Sequence, residues 1–192
     1  MAILSKLWTS SHGRKNLPEA IFSAFEKQKR FEIPEIIYKP GLKLTKDVVS
    51  EIKETVKKQN NSAQVHVLIL GDNDFRRLEG DTRLYLTCVE DLVQLFKDIP
   101  KAHLVLVSLL PSPKTNDQCK DVFYKMSEEL KKYGQEDPDS ATYLRVTKEF
   151  MKAGIPEQEL YFDGIHLSVK GANVLASAIK KYLMKIPDKC FS

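Results

Sequence analysis

Short apolar runs alternate with longer amphipathic ones along the 192 residues. That rhythm predicts an α/β domain, a central parallel sheet of about five strands with helices on both faces. Three observations carry the prediction. Val65–Leu70 and His103–Leu110 are nearly continuous apolar runs, as strands buried on both sides require. The longer segments between such runs repeat their apolar residues at helical spacing. No repeat, low-complexity tract or linker divides the chain, so residues 1–192 read as one domain of ordinary size.

Each element has its own local reason. Ala2–Trp8 reads as the first strand. Leu17–Arg30 reads as a helix, with Leu17, Ala20, Ile21, Ala24 and Phe25 on one face. Asn16 followed by Glu19 resembles a capping box, and Pro18 is tolerated in the first turn. Glu32–Tyr38 is a second strand with Pro34 near its start, and Pro40-Gly41 breaks it. Thr45 caps a helix to about Gln59, which puts Val48, Val49, Ile52 and Val56 inward and most lysines outward. Val65–Leu70 is strand three.

Helix three covers Leu84–Asp98, with Tyr85, Val89, Leu92, Leu95 and Phe96 facing in. His103–Leu110 is strand four, stopped by Pro111 and Pro113. Asp117 caps a fourth helix that gathers Val122, Phe123, Met126, Leu130 and Tyr133, with Gly134 as its stop. Thr142–Val146 reads as a short fifth strand. Thr147–Tyr161 shows no pattern that assigns an element. Ser168 caps a last helix to about Met184, with Val174, Leu175, Ala178, Ile179 and Leu183 inward.

Composition narrows the function classes. Hydrophobic residues make up 42% and charged residues 29%, which excludes a disordered chain. The net charge of +4 is too mild to mark a nucleic-acid binder by itself. Cys88, Cys119 and Cys190 are widely spaced and odd in number, a poor disulfide framework. With no signal-peptide pattern and no apolar run near the roughly 20 residues of a membrane span, the expectation is a soluble intracellular protein, cytoplasmic or nuclear.

In parallel α/β sheets ligands bind outside the carboxyl ends of the strands. Four segments fall there: Thr9-Ser10-Ser11-His12-Gly13 after strand one, Gly41 after strand two, Gly71-Asp72-Asn73-Asp74 after strand three, and Asp163-Gly164-Ile165-His166-Leu167-Ser168 before the last helix. Together they hold hydroxyls, an amide, acids and an imidazole, the parts of acyl transfer through a serine. Taken singly, each has a plainer reading as a turn or cap. His66 and His103 lie within strands and read as structural; His12 reads as shaping the turn. Asp72, Asp74 and Asp81 suggest a magnesium site only weakly, since no second acidic block stands at another strand end, and no metal is expected.

In order and spacing these blocks resemble the SGNH (GDSL-type) hydrolases, a superfamily of esterases, lipases and acetylhydrolases. The resemblance runs over nearly the whole chain. It implies a three-layer, flavodoxin-like α/β/α fold and an ester hydrolase that needs no cofactor. Gly71-Asp72-Asn73-Asp74 matches the family's G-x-N-D block, Asp163-Gly164-Ile165-His166 its D-x-x-H block, and Gly41 its second-block glycine. The first block departs: Thr9-Ser10-Ser11 stands where Gly-Asp-Ser is usual. The nucleophile position falls on Ser11, with Ser10 as the one-residue alternative.

The resemblance gives each residue a role that its chemistry suits. Ser11 supplies the hydroxyl, His166 moves its proton, and Asp163 accepts from the second ring nitrogen. The Ser11 N–H, the Gly41 N–H and the Asn73 amide form the oxyanion hole, with Gly41 allowing close backbone approach. Segments 75–83 and 111–117 are expected to line the pocket. The leading expectation is therefore a serine esterase or deacetylase acting on a small-molecule ester. The altered first block and the lysines of the second helix motivate the alternative, a non-catalytic SGNH-like module of the kind some retrotransposons encode, binding protein or nucleic acid.

Overall fold

The computed structural model describes residues 3–9, 16–27, 35–38, 44–58, 64–69, 82–99, 102–110, 112–114, 117–155 and 157–187. Its strands are β1 (Ile3–Thr9), β2 (Glu35–Tyr38), β3 (Gln64–Ile69), β4 (Ala102–Val107) and β5 (Ala141–Leu144). Its helices are α1 (Asn16–Phe25), α2 (Lys46–Lys58), α3 (Arg83–Lys97), α4 (Asp117–Glu136), α5 (Thr147–Lys152), α6 (Glu157–Leu160) and α7 (Val169–Leu183). The sheet order is β2-β1-β3-β4-β5, and every pairing is parallel. This is the α/β architecture expected from the apolar alternation.

The chain steps from β1 to β2 on one side and then to β3 on the other. α1 and α2 consequently cover opposite faces of the sheet. Side-chain alternation along β3 and β4 splits the core in two. Val65, Val67, Ile69, Val105 and Val107 pack with Leu17, Ile21 and Phe25 of α1 and with Leu175, Ile179 and Leu183 of α7. Leu68, Leu104 and Leu106 point the other way, onto Val48, Ile52 and Val56 of α2, Tyr85, Leu92 and Phe96 of α3, and Met126 and Leu130 of α4. His66 shares that second face, its ring edge-on to Phe96 at 5.0 Å.

Several boundaries differ from the sequence reading. α1 ends at Phe25 rather than Arg30, and β2 is described from Glu35; residues 28–34 lie outside the described residues. β4 ends at Val107, because the buried run through Leu110 leaves the sheet before its apolar character stops. The fifth strand is Ala141–Leu144, one residue earlier at its start. The unassigned stretch holds two helices, α5 and α6, too short to show a period.

Gly134 is the clearest correction. It does not stop α4, which runs on to Glu136. A Cβ at Gly134 would lie 2.6 Å from the backbone nitrogen of Tyr143, so this glycine lets the helix press against β5. The caps at Thr45 and Ser168 are as read: Thr45 Oγ1 accepts from the Val48 N–H at 3.4 Å, and Ser168 Oγ from the Gly171 N–H at 3.2 Å.

Candidate active site

The loop between α6 and α7 is built as a closed clasp. Tyr161 and Leu167 form an antiparallel bridge. The Phe162 N–H donates to the His166 carbonyl at 3.0 Å, and the Ser168 N–H to the Leu160 carbonyl at 2.9 Å. Inside the clasp, Asp163 Oδ1 accepts from the backbone N–H of Ile165 at 2.9 Å and of His166 at 2.8 Å. Its other oxygen, Oδ2, contacts His166 Nδ1. Gly164 makes the turn at φ +82°, where a side chain would be strained. Gly171 permits the closure: a Cβ there would lie 2.1 Å from the Leu160 carbonyl oxygen.

Three hydrogen bonds fix the clasp to the carboxyl rim of the sheet. Ser112, just past β4, donates from Oγ to the Gly164 carbonyl at 2.5 Å, and the Lys114 N–H reaches the same oxygen at 3.2 Å. Asn16, which opens α1, donates from Nδ2 to the Leu167 carbonyl at 3.5 Å. Thr9, the last residue of β1, is in register with Tyr38 of β2 and Ile69 of β3, so all three strands finish at one level. The histidine-bearing loop therefore stands at the rim that the parallel-sheet rule selects.

The electrostatics follow from the bonding. Burial pushes the Asp163 carboxyl up, but the His166 N–H, the His166 ring and the Ile165 N–H together outweigh that and lower it to about 2. At neutral pH Asp163 is an anion that can only accept. Facing an oxygen that can only accept, Nδ1 is the His166 ring nitrogen that donates, and Nε2 is the one not engaged by Asp163. Phe162 stacks on the imidazole at 5.4 Å and 20°. Side-chain exposures of 24% for His166 and 35% for Asp163 leave the pair reachable from solvent while held in the clasp.

The structure thus brings Asp163 and His166 together. Ser10, Ser11, His12, Gly41 and Asn73 lie outside the described residues, as do Asp72, Asp74 and Asp81. Ser112 and Lys114, from the expected pocket-lining segment, meet the clasp directly. Phe162 carries no motif of its own, and only its place beside Asp163 could have drawn notice. His103 is structural: buried in β4, its Nδ1 lies 3.0 Å from the Asp139 carbonyl and its Nε2 3.0 Å from Thr142 Oγ1. Among the described residues no group of three His, Cys, Asp or Glu side chains is placed to hold a metal ion. No helix among them is long and apolar enough to cross a membrane.

No protein-family sequence model matches the chain, and no curated protein matches it in sequence. Solved structures do match. A member of the lipolytic protein G-D-S-L family from Veillonella parvula superposes with a TM-score of 0.76 at 13% identity, over 96% of this chain and 99% of that one. Axe2, an acetylxylan esterase from Geobacillus stearothermophilus, gives 0.70 at 16% identity, over 94% of this chain and 93% of that one. The chain has the fold of these GDSL-type esterases. An alpha/beta hydrolase enzyme from the metagenome of Lake Arreo shares the fold at a TM-score of 0.66 and 15% identity, over 97% of this chain and 98% of that one. Two further Axe2 structures are of catalytic mutants, with alanine in place of a serine in one and of a histidine in the other.

Proposed function

We propose that the chain is an SGNH-type serine ester hydrolase that cleaves a small acyl ester through an acyl-enzyme, with no cofactor. The observation that carries this reading is the Asp163–His166 pair, clasped at the carboxyl rim of a GDSL-esterase fold with Nδ1 against the carboxylate. Ser11 is the assigned nucleophile and Ser10 the alternative. The serine Oγ attacks the ester carbonyl while His166 Nε2 takes its proton. Asp163 stabilises the imidazolium so formed. The carbonyl oxygen becomes an oxyanion, met by the Ser11 N–H, the Gly41 N–H and the Asn73 amide. Collapse of this intermediate breaks the ester C–O bond, and His166 returns the proton to the departing alcohol. Water then attacks the acyl-serine along the same path in reverse roles, releasing the carboxylic acid and the free hydroxyl.

The serine and histidine replaced in the Axe2 catalytic mutants support the same pairing of roles here. That esterase's named substrate, acetylxylan, supports a short acyl group as the part transferred. The test is turnover of short-chain nitrophenyl esters. The wild type should hydrolyse the acetyl ester, while His166→Ala and Asp163→Asn should lose about a thousandfold or more of kcat with the fold intact. A folded wild type that turns over none of these esters would discard the proposal in favour of the non-catalytic module.

A further inference from the structure

Hydrogen bonds run in one line from the exit of β4 to the imidazole. Ser112 Oγ donates to the Gly164 carbonyl at 2.5 Å. The other end of that peptide unit is the Ile165 N–H, which donates to Asp163 Oδ1 at 2.9 Å. Asp163 Oδ2 in turn engages His166 Nδ1. The peptide is trans, so its oxygen and its N–H point in opposite directions across one rigid plane. Whatever grips the oxygen therefore aims the N–H.

Gly164 has no side chain to restrain that plane, and at φ +82° it occupies a region that glycine enters freely. Ser112 adds to the loop's own bonds a restraint from outside it. Ser112 is 52 residues away in sequence, so its bond ties the clasp to the sheet rather than to itself. Pro113 limits the Ser112 backbone to extended conformations, which fixes the point from which the hydroxyl reaches. Donation to a carbonyl also polarises the peptide, which strengthens its N–H as a donor.

We propose that Ser112 is a positioning residue for the acid–base pair: its hydroxyl orients the Gly164–Ile165 peptide, and through it the Asp163 carboxylate and the His166 ring. This rests on the reading of Asp163 and His166 as the catalytic pair. Ser112 needs no contact with substrate to act. In its absence the Gly164 oxygen retains the Lys114 N–H, a longer bond at 3.2 Å, which orients the plane less firmly.

The experiment compares Ser112→Ala, Ser112→Thr and Ser112→Cys in the full chain. Four quantities are read: kcat and KM for nitrophenyl acetate, the rate of fluorophosphonate labelling, and the low-field proton resonance of the His166 Nδ1–H, assigned by its loss in Asp163→Asn. Ser112→Ala should lower kcat and labelling about three- to tenfold, with KM within about twofold, and should move the resonance. Threonine should restore both, and cysteine, a weak donor, should fall between. An alanine variant with wild-type kcat and an unmoved resonance overturns the proposal, as does a threonine variant as slow as alanine. Should the alanine variant not fold, a cysteine variant equal to wild type overturns it instead. The resonance is read without turnover. An inert wild type whose resonance still moves in Ser112→Ala would therefore sink the hydrolase reading and leave the positioning chain standing.

Discussion

Asp163 uses both carboxylate oxygens within its own loop, one on two backbone amides and one on the His166 ring. The six residues from Asp163 to Ser168 hold the acid, the turn glycine, the histidine and the helix cap, so this half of the site is readable from sequence. Ser112 was legible only as part of an expected pocket wall, because its contact spans 52 positions. The bond to His166 also couples Asp163 to acid stability. Its folded value of about 2 lies below the roughly 3.9 of an unfolded aspartate, so its contribution is complete above about pH 4 and is lost as pH falls through about 2. Urea unfolding of wild type and Asp163→Asn should show a stability gap at pH 6 that closes toward pH 2; a gap independent of pH would contradict the assignment. If Asn73 has the proposed oxyanion role, Asn73→Asp should lower kcat about 10²–10³-fold, the usual loss for one such donor, and steady-state kinetics checks it.

Among the elements, glycines separate what periodicity can and cannot show. Gly134 looks like a helix stop, since glycine commonly ends helices, yet α4 passes through it. The reason is the tertiary contact with the Tyr143 backbone, which no local pattern encodes. In an exposed helix, Gly→Ala stabilises by about 1 kcal/mol. Gly134→Ala should do the opposite, because the new Cβ meets backbone that cannot swing aside; a raised urea midpoint would refute this. Ser168 is the complementary case, a cap that sequence identifies because its partner Gly171 is three residues on. Ser168→Ala should cost about 1 kcal/mol of stability by urea titration, in line with other lost N-caps. α5 and α6 escaped the reading because six and four residues hold too few turns to display an amphipathic period.

Across the whole molecule, a second pH-sensitive group, His103, stands at the other end of the strands from the Asp163–His166 clasp. His103 lies near the amino end of β4, away from the rim that carries His166. Burial pushes the His103 imidazole down, against the upward pull of the Asp139 carbonyl and of the Asp139 and Asp137 charges. Its contribution to stability is therefore present above its ordinary value near 6.5 and fades as pH falls below it. His103→Gln should flatten the stability profile between about pH 7 and 5 while leaving kcat per folded molecule within about twofold. Calorimetry and kinetics on the same samples check both halves. The fold was legible because buried parallel strands leave continuous apolar runs, as Val65–Leu70 and His103–Leu110 do. The first block departs from the usual Gly-Asp-Ser at two residues, Thr9 and Ser10, so the nucleophile proposed at Ser11 calls for a chemical answer. The direct measurement is peptide mapping of the protein after reaction with a fluorophosphonate. A single adduct on Ser11 or Ser10, abolished in His166→Ala, is expected of a serine hydrolase with this pair; an unmodified protein, or an adduct on a serine outside that segment, would contradict it.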